Sequence, residues 1–130
     1  MTEIRELSEF HGVYGIRNIK TGKMYVGVTR NLETRWKMHR YLLRNGRHTE
    51  DALQDAWSID GESSFELVLI EKVNGYMPNF GLGITLREAE RTWLLKLSQR
   101  DILYNKTIPK APDEVRTTTW REIDASYAAI

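Results

Sequence analysis

The sequence predicts a small α+β domain in which a three-stranded antiparallel sheet is flanked by helices. Three observations carry that expectation. Gly12 to Gly27 reads as two strand-like runs around a polar turn. Two stretches with helical spacing of apolar residues follow, over about residues 29–45 and 49–60. A third apolar run, Phe65 to Ile70, then precedes another long helical pattern. At 130 residues the chain fits one domain, with a lead-in at 1–11, a main body at 12–108 and a short tail at 109–130, the tail helical or loose.

The hairpin comes first. Val13 to Ile19 and Met24 to Val28 are rich in β-branched residues, and Asn18 to Lys23 between them carries Gly22, which tolerates a positive φ. Alternation puts Tyr14, Ile16 and Asn18 on one face of the first strand and Val13, Gly15 and Arg17 on the other. Thr29-Arg30-Asn31 then opens a helix that Asn45-Gly46 stops. Its stripes run through Leu32, Trp36, His39 and Leu43, and through Arg35, Met38, His39 and Leu42. Thr49 is the expected N-cap of a second helix, with Glu50 and Asp51 complementing the dipole and Leu53, Ala56 and Trp57 as its apolar stripe. Phe65 to Ile70 is apolar enough to be the central strand. Asn74 to Gly83 reads as a turn-rich loop, and Thr85-Leu86-Arg87-Glu88 as the capping box of the last main helix, which runs to about Gln99. Ile102 to Ile108 closes the domain, and Pro109 to Pro112 marks a boundary.

Composition excludes several chemistries. There is no cysteine, hence no disulfide framework, thiolate nucleophile or cysteine-based zinc site. No apolar run approaches the roughly 18 to 20 residues that span a bilayer. Met1 to His11 is too polar for a signal peptide, so a cytosolic setting is expected. The net charge of +1 hides segregation: Gly12 to His48 has nine Lys and Arg against Glu33 alone, while Thr49 to Glu71 has seven acids and no Lys or Arg. Such a basic block suits phosphate if the fold gathers it on one surface; otherwise it is a solvated face paired with the acidic block.

Within this frame a few residues stand out. Glu90 lies four after Leu86 and four before Leu94, inside the apolar stripe of its helix. A carboxylate there is costly unless a cation, a metal or hydrogen bonds compensate it, and an arginine partner would do so as well as a metal. Arg35 and His39, four apart, share a helix face just after the hairpin. Tyr14 and Tyr25 each sit in a short glycine-bounded tripeptide, Gly12-Val13-Tyr14 and Tyr25-Val26-Gly27, with ten residues between the tyrosines.

Those tripeptides resemble the signature of the GIY-YIG nuclease superfamily, with valine for isoleucine in both. The likeness runs from about Gly12 to Asn105, in order: paired tyrosines, the N-L-x-x-R-W pattern around Arg35, His39, a third strand, Glu90 in REAERTW, and Asn105. It implies that Glu90 binds a divalent metal, Mg2+ or Mn2+, and that Arg35 holds the scissile phosphate. It places both tyrosine hydroxyls in the active site, one as general base and the other on phosphate or metal-bound water, without deciding which. His39 would contact phosphate or assist proton transfer, or be structural. His48 would contact substrate and Asn105 support the site, unless either is an ordinary loop residue. Lys23, Arg35 or the metal could lower a phenol pKa, with Lys23 also a substrate-binding candidate, and Lys37, Arg40, Arg44 and Arg47 are candidates for DNA backbone contacts.

The function expected is a one-metal, tyrosine-assisted DNA endonuclease resembling the catalytic domains of phage-type homing endonucleases, at work in a bacterial or phage-infected cell. Target choice would come from loops, a homodimer, the tail or a partner protein. The other readings are a catalytically inactive nucleic-acid-binding module on the same fold, and a protein-interaction factor using the acidic block.

Overall fold

The computed structural model describes residues 10–73 and 81–109, with backbone only for residues 81–85. Residues 1–9, 74–80 and 110–130 lie outside the described residues, and with them most of the expected lead-in, most of the turn-rich loop expected over Asn74 to Gly83 and the expected tail.

Three antiparallel strands form one sheet in the order β2-β1-β3: β1 is Gly12–Asn18, β2 Met24–Thr29 and β3 Phe65–Lys72. The hairpin register pairs Tyr14 with Gly27 and Ile16 with Tyr25. Gly22 takes φ 77°, and the Asn18 carbonyl accepts its N–H at 2.8 Å. The central strand is β1 rather than Phe65 to Ile70. Val13, Tyr14 and Ile16 are buried on both faces of β1, whereas β3 leaves Leu69 at 43% exposure. Apolar content misleads here because an edge strand can cover a core face and still wet its other side.

Helix α1 (Leu32–Arg44) begins where expected, with the Asn31 side chain accepting the Thr34 N–H at 3.2 Å, and ends at Asn45 before Gly46. Helix α2 (Asp51–Asp60) is capped by Glu50 and not Thr49, with no side-chain cap bond. Its entry is held differently, because the Glu50 N–H is taken by the His48 ring at 3.0 Å. Helix α3 (Gly81–Ser98) starts four residues before the expected box at Thr85. Gly83 in its first turn costs up to about 1 kcal/mol, while further along Leu86, Leu94 and Leu97 are buried.

The sheet is covered on both faces. Tyr14, Ile16 and Tyr104 pack with Leu32, Leu43, Leu53, Trp57 and Phe65 under α1 and α2, while Val13 and Val26 pack against Leu94 and Leu97 of α3. This is the division that strand alternation predicts. Beyond α3 the chain returns to the open edge of β2: Met24 donates its N–H to Ile102, and Tyr104 donates to the Met24 carbonyl. Among the described residues no helix is long and apolar enough to cross a membrane.

Candidate active site

Tyr14 is set by β1 with its ring turned under the hairpin. A Cβ at Gly27 would lie 2.7 Å from the Tyr14 hydroxyl and 2.9 Å from the carbon bearing it. Glycine at that position is therefore a space requirement of Tyr14, which explains the second tripeptide in physical terms.

The Tyr14 oxygen lies 2.5 Å from His39 Nε2, and His39 Nδ1 lies 2.8 Å from His48 Nε2. Three bonds in series fix the protons. The Glu50 N–H can only donate, so His48 Nδ1 accepts it. A neutral imidazole carries one N–H, so His48 bears its hydrogen on Nε2 and gives it to His39 Nδ1. His39 then carries its hydrogen on Nε2 and gives it to the Tyr14 oxygen. Both rings are held neutral: burial lowers the His39 pKa to about 3, with His48 and Arg35 adding to it, and burial also lowers His48. His39 thus cannot take a proton from Tyr14; it offers one to the phenol oxygen, and the Tyr14 hydrogen is left for another acceptor.

Tyr25 on β2 sits edge-on to both imidazoles, 5.4 Å from His39 and 5.7 Å from His48 between ring centres. Burial raises the pKa of both phenols above the usual range. For Tyr14, the neighbouring Tyr25 comes next and Arg35 opposes; for Tyr25, Glu50 and then Glu90 add to the rise and Arg35 opposes. Glu90 is itself half-buried, and burial raises its carboxyl pKa.

Tyr25, Glu50, Glu90 and Asn105 line a common cavity of about 290 Å3. Asn105 works there as a stand-in for a strand, accepting the Val26 N–H at 2.9 Å and donating to the Val26 carbonyl at 2.8 Å. This pins β2 next to Tyr25. Glu50 was not singled out by the sequence beyond its effect on the helix dipole. A carboxylate two residues after a histidine at a helix start was the available signal. Its side chain accepts the Lys106 N–H, which ties the chain beyond α3 to the same cavity.

Among the described residues no cluster of three or more His, Asp or Glu side chains forms a protein-only metal cage. A half-buried carboxylate with raised pKa, facing a polar cavity beside a second carboxylate, does fit an oxygen-seeking divalent ion that keeps water and phosphate in its remaining positions.

The other expected positions scatter. Arg35 is exposed and, among the described residues, has no carboxylate partner. His48 spends both ring nitrogens internally. Lys37 pairs with Glu33 at 3.0 Å, Arg44 holds Glu62 through two bonds of 2.6 and 2.7 Å, and Arg40 lies over the Trp36 ring at 5.3 Å. Lys23 is an exposed residue at the end of the hairpin turn.

Comparison with known proteins gives a consistent picture. The profile of the GIY-YIG catalytic domain family matches residues 10–101. Intron-associated endonuclease 1 of Enterobacteria phage T4 is 31% identical over 94 residues, covering 72% of this chain and 36% of that protein. The chain thus spans about a third of the length of that relative. Among solved structures, the catalytic domain of the homing endonuclease I-TevI aligns with a TM-score of 0.63 at 29% identity, over 75% of this chain and 98% of that one. A mutant form of the same catalytic domain aligns with a TM-score of 0.63 at 26% identity, over 79% of this chain and 99% of that one.

Proposed function

The chain belongs to the GIY-YIG catalytic domain family, and on that premise we propose that it is an endonuclease hydrolysing DNA phosphodiester bonds with the help of one divalent cation, Mg2+ or Mn2+. The observation that carries the reading is the meeting of Glu90 and Tyr25 in one cavity, with Arg35 in electrostatic reach of both tyrosines.

Arg35, always charged and free of a carboxylate partner among the described residues, holds the scissile phosphate through its planar donors. Tyr14 keeps its hydrogen at neutral pH, because burial, Tyr25 and Glu90 raise its pKa, and it serves as a proton relay. Its oxygen receives the His39 N–H, which favours negative charge on that atom, and Arg35 favours it too. Tyr25 faces two carboxylates and keeps its proton, so it is suited to hydrogen-bond a phosphate oxygen. In the step itself the Tyr14 oxygen takes a proton from water as the water oxygen bonds to phosphorus, and the hydrogen Tyr14 already carries passes to a phosphate oxygen. The P–O bond to the departing sugar oxygen breaks in line with that attack, and Arg35 meets the charge on the phosphate oxygens. Glu90, with Glu50 beside it, would hold the cation, whose chemistry is to neutralise those carboxylates and polarise the phosphate.

The test is cleavage of supercoiled plasmid with Mg2+ or Mn2+ by wild type, Glu90→Ala and Arg35→Ala. Metal-dependent nicking or linearisation lost in both variants is expected. Cleavage that survives Glu90→Ala would overturn the assignment. Salt-sensitive DNA binding without cleavage by the wild type would favour an inactive binding module on this fold.

A further inference from the structure

A second cavity, of about 540 Å3, opens further along β2, at Val28 and Thr29, and reaches Leu86 and Arg87 of α3. Arg30, Arg35 and Arg87 line it, with Val28, Met38 and Leu86 as its apolar wall and no acidic side chain among its lining residues. Several other cations are paired with carboxylates: Arg17 with Glu66, Lys20 with Asp60, Lys37 with Glu33, Arg44 with Glu62 and Lys106 with Asp51. Among the described residues, the three cleft arginines have no such partner. Like charges gathered without counter-ions repel one another, and an anion placed among them removes that cost.

The apolar wall narrows the choice of anion. Met38 stays 39% exposed beside the arginines, one of the few large apolar side chains so open among the described residues. A bare inorganic anion would satisfy the guanidiniums and leave that wall wet. A nucleotide unit uses both, because phosphate and sugar or base alternate along it. The volume falls within the roughly 300 to 1,000 Å3 typical of small-ligand sites, which suits a short run of one strand and not the width of a duplex. Arg35 belongs to this cleft and also to the reacting centre, so the strand in it is the one being cut.

We propose that this cleft holds the stretch of the DNA strand flanking the scissile phosphate, with Arg30 and Arg87 on neighbouring phosphates and Met38 and Leu86 against a sugar or base. The assignment rests on the endonuclease reading and extends it to residues outside the chemistry.

The experiment uses the full chain and a labelled synthetic DNA duplex without divalent metal, with affinity measured across salt concentration for wild type, Arg30→Ala, Arg87→Ala and the double variant. Each lost phosphate contact lowers the slope of log affinity against log salt by about 1, so the double variant loses about 2. Plasmid cleavage then shows a raised KM with kcat held. Arg30→Lys with Arg87→Lys keeps the slope, which separates lost charge from lost structure, and Arg17→Ala leaves it unchanged. A double alanine variant with wild-type melting temperature, slope and KM would sink the cleft assignment while the wild type still binds and cuts. A wild type that neither binds nor cuts DNA would overturn the endonuclease reading and this inference together.

Discussion

Two cavities lie along β2 within a few residues of each other and carry opposite charge. At Tyr25 and Val26 the lining includes Glu50 and Glu90; at Val28 and Thr29 it includes Arg30, Arg35 and Arg87. Helix α3 borders both, through Glu90 and Leu94 for one and Leu86 and Arg87 for the other. Elsewhere the chain puts carboxylates and cations together, as at Arg44 and Glu62. Along β2 it keeps them apart and leaves each sign uncompensated. Folding gains nothing from that separation, as the raised Glu90 pKa records. A cation on one side and a phosphate chain on the other relieve it, so the difference between the cavities describes a complex better than it describes the free protein.

The comparison breaks most visibly at Glu90. Glu90→Gln should lower kcat for plasmid nicking by about 10²- to 10³-fold, the scale of losing one stabiliser of transition-state charge. The same change should raise the melting temperature in metal-free buffer. The folded-state pKa of Glu90 is raised, so the stability it contributes is present below the usual carboxylate range and lost as pH rises through the folded value. At neutral pH the charge works against folding, and the amide removes it. A lower melting point would mean that Glu90 has an internal partner and that the carboxylate pocket is not poised for a cation.

Arg35→Lys tests the opposite pole. Charge is kept and the planar fork is lost, so a drop of about 10²-fold in kcat is expected. Full activity would reduce Arg35 to one more cation of the cleft.

Between the poles stands the pair of imidazoles, which should act through Tyr14 and not on substrate. Nitrogen-15 NMR of labelled protein at neutral pH should find both His39 and His48 protonated on Nε2 alone. A His39 hydrogen on Nδ1 would reverse the direction of the chain of bonds and make that ring a proton acceptor for Tyr14. His48→Leu should cut kcat by about tenfold, a smaller loss than removing a group that acts on the transition state directly, with KM unchanged and His48→Gln recovering part of it. These rings also set an acid limit. Their folded-state pKa values are lowered, so their contribution is present above about 6.5 and is lost as pH falls toward the His39 value of about 3. Urea midpoints should fall over that window, less steeply in a His39→Phe variant than in wild type.

The smallest effect concerns the frame. Asn105→Ala leaves the Val26 N–H and carbonyl without their partner, at about 1 to 3 kcal/mol of unfolding free energy, readable by chemical denaturation. A loss well below this would mean that water replaces the clamp and that the β2 edge is not held by it.

Much of the frame was legible because it rests on local rules. Alternation in Val13 to Asn18 sorted the two faces of β1 correctly, and Asn31 and Asn45-Gly46 bracketed α1. Strand order was not, since the apolar content of Phe65 to Ile70 says how buried a run can be and nothing about which neighbours it has. The N-cap at Thr49 failed because a ring fixed elsewhere, His48, had already claimed the Glu50 amide. Within the site, Tyr14, Tyr25 and Glu90 announced themselves by motif or by a charge on an apolar stripe. Glu50 and the coupling of His39 to His48 did not, because they exist only once α1 and the start of α2 have been brought side by side. Arg30 and Arg87 were hidden for the opposite reason: among many surface cations, what sets them apart is sharing one cavity with Arg35 and no acidic side chain, and that is a property of the folded chain.

The Asn105 clamp also has a meaning in time. Translation delivers Tyr14, Tyr25, Arg35, His39 and His48 ahead of Glu90 and of Asn105, the side chain that grips Val26. On that reading a nascent polypeptide carries the hairpin and its histidines well before Glu90 and the Val26 clamp that complete the candidate site.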